Sequence, residues 1–385
     1  MSALLTTPSL VAPTLLKTPH WVSGLLTTSE LAYHFHHARR GHPNILEIHH
    51  FLCSIKAMQT ALVTGASGLL GRQVQREFLL DGWKSVGTGL SRIASPDVVR
   101  LDILNEKEIE TVLDNTKPDV VVHCAANRFP DSCTANPEAA RKLNVDSSRA
   151  LAEATTSRDI FLIYLSTDYV FSGRPGDAPY NTDSTPSPPN LVEGAHSNLR
   201  YGQTKLEGEQ AVLDVARKAG TKNQVVVLRV PILYGSCDEP KESAVNILMS
   251  QLWSAQQIQD SQPKVQVDDY ALRYPTNTQD VGRVCRDIAK LYLDPVNADR
   301  ELPGILQFSS EDRMTKWQIC QTFADIMGLP LDNMAPSKPD AEPKDGTIRP
   351  YDCHLDTSAL KELGIDVSTV DFRAWWRVAP EATRA

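Results

Sequence analysis

Two groups of residues have the types and spacing to do chemistry. The first is Gly65-Ala-Ser-Gly68-Leu-Leu-Gly71, set between an apolar run ending at Thr64 and a helical pattern reaching Leu80. Glycines at this spacing allow a tight turn, close approach of backbone to a pyrophosphate, and close packing of helix on strand. The helix that follows would offer free N–H groups and partial positive charge to phosphates. Cofactor choice is read at the end of the next strand, where an acidic residue would bind the adenosine ribose of NAD and repel a 2′-phosphate. The chain instead carries Gly87-Thr88-Gly89-Leu90-Ser91-Arg92. Arg92 suits bidentate phosphate binding and Ser91 a hydroxyl contact, so NADP(H) is the expected cofactor.

The second group lies further on. An apolar strand ends in Ser166-Thr167-Asp168-Tyr169, and Tyr201-Gly-Gln-Thr-Lys205 opens a helix. Tyr and Lys at i, i+4 share a helix face, which places the ammonium near the phenol. That charge is expected to favour phenolate and lower the Tyr201 pKa towards working pH. A hydroxyl from Thr167 (or Ser166) could then orient a ketone that Tyr201 protonates during hydride transfer.

These groups need elements to hold them in place. Strands are expected at Thr60–Thr64, Lys84–Thr88, Val98–Ile103, Asp119–Cys124, Ile160–Ser166 and Val225–Arg229. Helices are expected at Leu69–Leu80, Asn105–Asn115, Pro137–Thr156 and Tyr201–Ala219. Strands alternating with helices of this length predict an α/β fold, a Rossmann-type doubly wound parallel sheet with ligands beyond the carboxyl ends of its strands. After Pro231 the alternation degrades. The segment 236–275 reads as irregular and 330–350 as a loop, with helices at Asp280–Leu293 and Met314–Met327 and a short strand at Ile305–Phe308. We therefore expect a dinucleotide-binding domain over 58–235, with an insert at 171–200. A smaller, discontinuous substrate-binding-like domain is expected over 236–385, with 276–300 packing back on the first. Within 236–275 no cluster of Arg or Lys reads as a nucleotide-diphosphate site.

Together the two groups resemble the extended short-chain dehydrogenase/reductase superfamily over residues 60–373. Ser166-Thr-Asp-Tyr-Val-Phe171, Tyr201-Gly-Gln-Thr-Lys-Leu-Glu-Gly-Glu209, Arg229-Val-Pro-Ile-Leu-Tyr-Gly235 and Arg349-Pro-Tyr-Asp-Cys-His-Leu-Asp356 are similar to the branch containing dTDP-4-dehydrorhamnose reductases. His123-Cys-Ala-Ala126, Leu143-Asn-Val-Asp146, Glu242-Ser-Ala-Val245, Arg273-Tyr-Pro-Thr276, Asp280-Val-Gly-Arg-Val-Cys285 and Met314-Thr-Lys316 look most like regulatory β subunits of methionine adenosyltransferase. The resemblance implies an NADP-binding, non-catalytic partner of the catalytic subunit that makes S-adenosylmethionine. The alternative it implies is an NADPH-dependent reductase of a nucleotide-linked keto sugar, with Thr167, Tyr201 and Lys205 as its catalytic residues. It further implies that Ser67, Gly68, Leu69 and Leu70 lie along the pyrophosphate, and Leu90, Ser91 and Arg92 around the 2′-phosphate. Asp102 and Ile103 would flank the adenine, with Cys124 and Arg128 after the fourth strand. Tyr201 and Lys205 would hold the nicotinamide ribose, and Leu228 would sit beside the ring. Two departures from the family pattern stand out. Nine residues, 192–200, intervene before Tyr201, and the chain stops nine residues after Trp376, where animal β subunits have a longer tail.

Composition narrows the function classes. The 385 residues carry a net charge of −8, against the clustered cations that a polyanion binder needs. No apolar run approaches the roughly 18–20 residues needed to span a bilayer. Cysteines 53, 124, 133, 237, 285, 320 and 353 are scattered and never spaced C-x-x-C, which reads as reduced thiols in the cytoplasm and no zinc site. Cys124 in particular reads as a small buried apolar residue. Residues 1–57 hold seven of the ten histidines and a net charge of +2, leaving −10 for the rest. A metal site at His34-Phe-His-His37 or a mitochondrial presequence are alternatives there. The favoured reading is a disordered or spurious extension, with Met58 as the start of the fold.

Overall fold

The computed structural model describes residues 58–93, 97–188, 200–259, 261–338 and 350–379. The expectation for 1–57 therefore lies outside the described residues, as do 192–199 of the insertion. The described residues form one compact unit.

The unit is built on a seven-stranded sheet. β1 (Thr60–Thr64) is followed by α1 (Gly71–Leu80), β2 (Lys84–Gly89), β3 (Val98–Arg100), α2 (Glu106–Thr116) and β4 (Val120–His123). Two short helices, α3 (Pro130–Ala135) and α4 (Pro137–Arg141), lead through a π-turn (Lys142–Asp146) into α5 (Ser147–Thr156) and β5 (Phe161–Thr167). Next come α6 (Arg200–Ala219), β6 (Val225–Val230), β7 (Leu233–Tyr234), α7 (Asn246–Ala255), β8 (Val265–Asp268) and β9 (Thr276–Asn277). α8 (Thr278–Tyr292), β10 (Ile305–Gln307), α9 (Lys316–Met327), β11 (Met334–Ser337), α10 (Ser358–Glu362) and α11 (Phe372–Val378) complete the order. The sheet runs β3-β2-β1-β4-β5-β6-β10, every pair parallel. Strand order reverses between β1 and β4, the point at which such sheets open a ligand crevice.

Alternation along the strands divides the core into two layers. Ala61, Val63, Val120, Val122 and Ile163 face α1 and α8 through Val74, Phe78, Val284 and Ile288. Leu62, Val121, Leu162 and Tyr164 face α2, α5 and α6 through Ile109, Leu113, Leu151 and Val212. Burial on both faces is why these strands read as continuous apolar runs. Local chemistry fixes the helix ends. Asn105 Oδ1 accepts from the N–H groups of Lys107 and Glu108 to start α2, and a Thr315–Gln318 capping box starts α9.

The helix expected over Pro137–Thr156 is present and carries a π-turn at Lys142–Asp146, which sets the Asn144 carbonyl against Gly208 of α6; a Cβ there would lie 2.6 Å from that oxygen. Two expectations are corrected. The strand expected at Ile305–Phe308 does not belong with the smaller domain, because β10 pairs with β6 as the seventh strand of the main sheet. Finally, 236–275 and 330–350 are not irregular throughout. α7 supplies Leu248, Met249 and Leu252 to a second apolar cluster with Phe323 and Trp376, and β8 pairs in parallel with β11. α8, within the 276–300 segment, packs on the main sheet. None of the described helices is long and apolar enough to cross a membrane.

Candidate functional site

The carboxyl ends of β1, β2, β4, β5 and β6 open into a cleft of about 950 Å3. Its floor is the turn from β1 into α1. Gly65 has φ +67°, and a Cβ on it would lie 2.9 Å from Ala125 N. A Cβ on Gly71 would lie 2.2 Å from Gly65 O, so helix and turn approach as only glycine permits. Leu70 caps α1 without a side-chain hydrogen bond, and the turn itself takes up the N–H groups of Arg72 and Gln73 through Gly68 O at 3.2 Å and Leu70 O at 3.0 Å. Ser67, Gly68 and Leu69 line the cleft along the same turn.

Leu90, Ser91 and Arg92 border one end, with Asp102 and Ile103 beside them. Asp102 holds its own turn by accepting from Leu104 N at 3.0 Å. Cys124 and Arg128 line the wall after β4. Burial pushes the Cys124 thiol up to about 12, which keeps it protonated and unreactive. Leu228, expected beside a nicotinamide ring, instead points into the core and is fully buried; Val230 and Pro231 line the cleft in its place. The reason is depth along the strand: Leu228 lies two residues inside β6, on the same face as Val230 but below the carboxyl end that meets the cleft.

The far end brings together Ser166, Thr167, Tyr201 and Lys205. The expectation that Lys205 lowers the Tyr201 pKa is not met. The Lys205 ammonium lies 3.9 Å from the centre of the Tyr164 ring, a cation–π contact that takes it towards the core. Burial raises the Tyr201 phenol, and the hydrogen bond with Thr167 and the Arg128 charge only partly oppose this. Burial also lowers Lys205 to about 7, against the opposing charge of Glu209.

Sequence reasoning missed several residues of the cleft. Asp168 is buried beside Tyr201, accepts from the Thr167 hydroxyl at 3.0 Å, and is raised by burial to about 7 against the charge of Arg273. Glu242, Arg273 and Lys316 enter from the second lobe. Arg273 and Glu242 stand in the quoted stretches Arg273-Tyr-Pro-Thr276 and Glu242-Ser-Ala-Val245, but their spacing gave no signal of a shared site. Asn144 supports the cleft from behind, fully buried. Its amide donates to Asn127 O and Thr204 Oγ1, both at 3.0 Å, and so ties the wall after β4 to α6.

The residues fit a dinucleotide. The glycine cradle suits a pyrophosphate, and the Ser166 hydroxyl is buried at the cleft without a hydrogen-bond partner, as a group waiting on a ligand would be. Among the described residues no His, Cys, Asp and Glu group is arranged to hold a metal.

Residues 58–377 match the family of RmlD substrate binding domains. The Bos taurus protein named methionine adenosyltransferase 2 subunit beta is 38% identical over 309 residues, which is 80% of this chain and 83% of that protein. The chain belongs to the methionine adenosyltransferase 2 subunit beta family. The Danio rerio member is 38% identical over 312 residues, 81% of this chain and 87% of the relative. Among solved structures, a dTDP-4-dehydrorhamnose reductase from Bacillus anthracis in complex with NADP superposes with a TM-score of 0.64. It is 21% identical, with 84% of this chain and 97% of that one covered. This β-subunit family member therefore shares its fold with a reductase to which its sequence is only 21% identical.

The Lys205 environment gives a first expected result. A lysine held near 7 in the fold returns to about 10.4 when unfolded. Between those values the unfolded chain holds the proton that the folded chain has released, so stability rises with pH across this window. The slope reaches about 1.4 kcal/mol per pH unit. Lys205→Met should remove that rise. Denaturant titrations at pH 7, 8 and 9 check it, and equal pH dependence in wild type and variant would show that Lys205 keeps an ordinary pKa.

Proposed function

We propose that this chain is an NADP(H)-binding regulatory subunit of a methionine adenosyltransferase, acting on S-adenosylmethionine synthesis through association with the catalytic chain. The observation that carries the reading is 38% identity spread over 83% of a β subunit's length, well beyond the glycine turn and the Tyr201–Lys205 helix. The cleft supports the cofactor half of the proposal. Its α1 end would take the pyrophosphate, and Arg92 and Ser91 the adenosine phosphate. Ser166, Tyr201 and Lys205 would hold the nicotinamide ribose. When bound, the nicotinamide supplies hydride chemistry; the chain's own residues bind, orient and shield it.

A second reading has one observation in its favour. Ser166, Thr167, Tyr201 and Lys205 meet at one end of the cleft, as an NADPH-dependent reductase of a nucleotide-linked keto sugar would require. Burial works against it, since it raises the Tyr201 phenol and lowers the Lys205 ammonium.

Affinity capture of the native chain from its own cell extract tests the first reading. A methionine adenosyltransferase catalytic chain should co-purify in stoichiometric amount and change its synthesis kinetics when the two purified chains are mixed. Absence of the pair in both experiments would overturn the regulatory reading.

A further inference from the structure

At the adenosine end of the cleft, four charges from two lobes meet. Arg72, the second residue of α1, donates to Ser67 O at 2.9 Å, Asp238 Oδ2 at 2.8 Å and Glu242 Oε2 at 2.9 Å. Arg92 donates to the other oxygen of Glu242 and lies 3.7 Å from Asp238 Oδ2. Each oxygen of Glu242 thus holds a different guanidinium. Side-chain exposure separates the roles: 5% for Glu242 and 20% for Arg72, but 50% for Arg92 and 67% for Asp238. Arg128 is a third guanidinium close enough to feel the charges of both Glu242 and Arg92.

We propose that Glu242 sets the discrimination between phosphorylated and unphosphorylated adenosine, by competing with a 2′-phosphate for the Arg92 guanidinium. The inference rests on the NADP(H) reading above. Glu242 and Arg92 stand 150 residues apart in sequence and both line the cleft, so a phosphate reaching Arg92 meets a carboxylate already paired to it. Arg72 makes an exchange feasible. When Arg92 turns to a phosphate, Glu242 keeps its charge-assisted bond to Arg72, so no buried charge is stranded. Arg72 is held by three partners and stays in place; Arg92, half exposed, is the one free to turn. A dinucleotide without the 2′-phosphate leaves the Arg92–Glu242 pair intact and gains nothing from its removal.

The experiment is calorimetric titration of NADP+ and NAD+ into the full chain, wild type and Glu242→Gln. Removing the competing charge should tighten NADP+ roughly two- to fivefold, as expected for a partly exposed ion pair, and leave NAD+ unchanged. Asp238→Asn, at an exposed position that cannot threaten folding, should tighten NADP+ by a smaller factor in the same direction. In Arg92→Ala the gain from Glu242→Gln should vanish, which is the coupling a double-mutant cycle reads. If Glu242 instead holds Arg92 ready for the phosphate, both acid replacements will weaken NADP+ binding. That outcome, or an unchanged ratio in both variants, overturns this inference alone. A wild type that binds neither dinucleotide overturns the cofactor reading, and this inference with it.

Discussion

Glu209→Ala should destabilise the fold by about 3–5 kcal/mol, the cost of leaving a buried charge without its partner. Glu209 on α6 and Arg229 on β6 are 2% and 1% exposed and form a two-pronged pair, Nε to Oε1 at 3.0 Å and Nη2 to Oε2 at 2.7 Å. The guanidinium also lies over the Phe171 ring at 5.1 Å, and its Nη1 already lacks a hydrogen-bond partner. With the carboxylate gone, Nε and Nη2 lose the partners they have in the fold. Against a typical total of about 5–15 kcal/mol this loss is severe, and the melting temperature should fall on the order of 10 °C. Replacing both partners with apolar residues of similar volume, Glu209→Leu with Arg229→Met, should recover most of it. Thermal and denaturant unfolding of the three proteins provide the check. A loss under about 1 kcal/mol in Glu209→Ala would show that the pair is solvated and not the anchor described here. The effect reaches the cleft as well. Glu209 lies four residues past Lys205 and supplies the main charge opposing the effect of burial, so its loss should push the Lys205 pKa lower still.

Tyr201→Phe separates the two functional readings by orders of magnitude. In a regulatory subunit the change removes one hydroxyl, worth about 0.5–1.5 kcal/mol of cofactor affinity. The ring keeps its edge contact with Tyr169, whose centroid is 6.5 Å away, so folding and partner association should persist. In a reductase the same change removes the proton donor, and general acid catalysis is typically worth about 10²–10⁴-fold. The expected result is no NADPH oxidation with dTDP-4-dehydrorhamnose by either protein, and equal effects of both on S-adenosylmethionine synthesis by the catalytic chain. Wild-type turnover that disappears in the variant would overturn the regulatory reading as the primary function.

Much of this protein was legible in the linear sequence because its signals are local. Apolar runs of five or six residues, separated by helical patterns, determine a parallel sheet covered on both faces. That follows from burial period and chain length alone. The glycine turn is equally local: Gly65 needs a positive φ, and Gly71 must approach Gly65, only six residues away. Tyr201 and Lys205 share a helix face for the same reason. What those residues experience was decided elsewhere. Lys205 faces Tyr164 on a neighbouring strand, and burial sets its charge, so the i, i+4 spacing could not reveal what its ammonium would meet. β8 and β11 are four-residue strands whose pairing spans more than sixty residues, and β10 joins the main sheet only because β6 offers it an open edge. The pairing of Arg92 with Glu242 lies furthest from local reach. Sequence determined that a guanidinium follows β2; only the return of the chain after β7 places a carboxylate against it, because charge pairing depends on distance in space and is blind to separation along the chain.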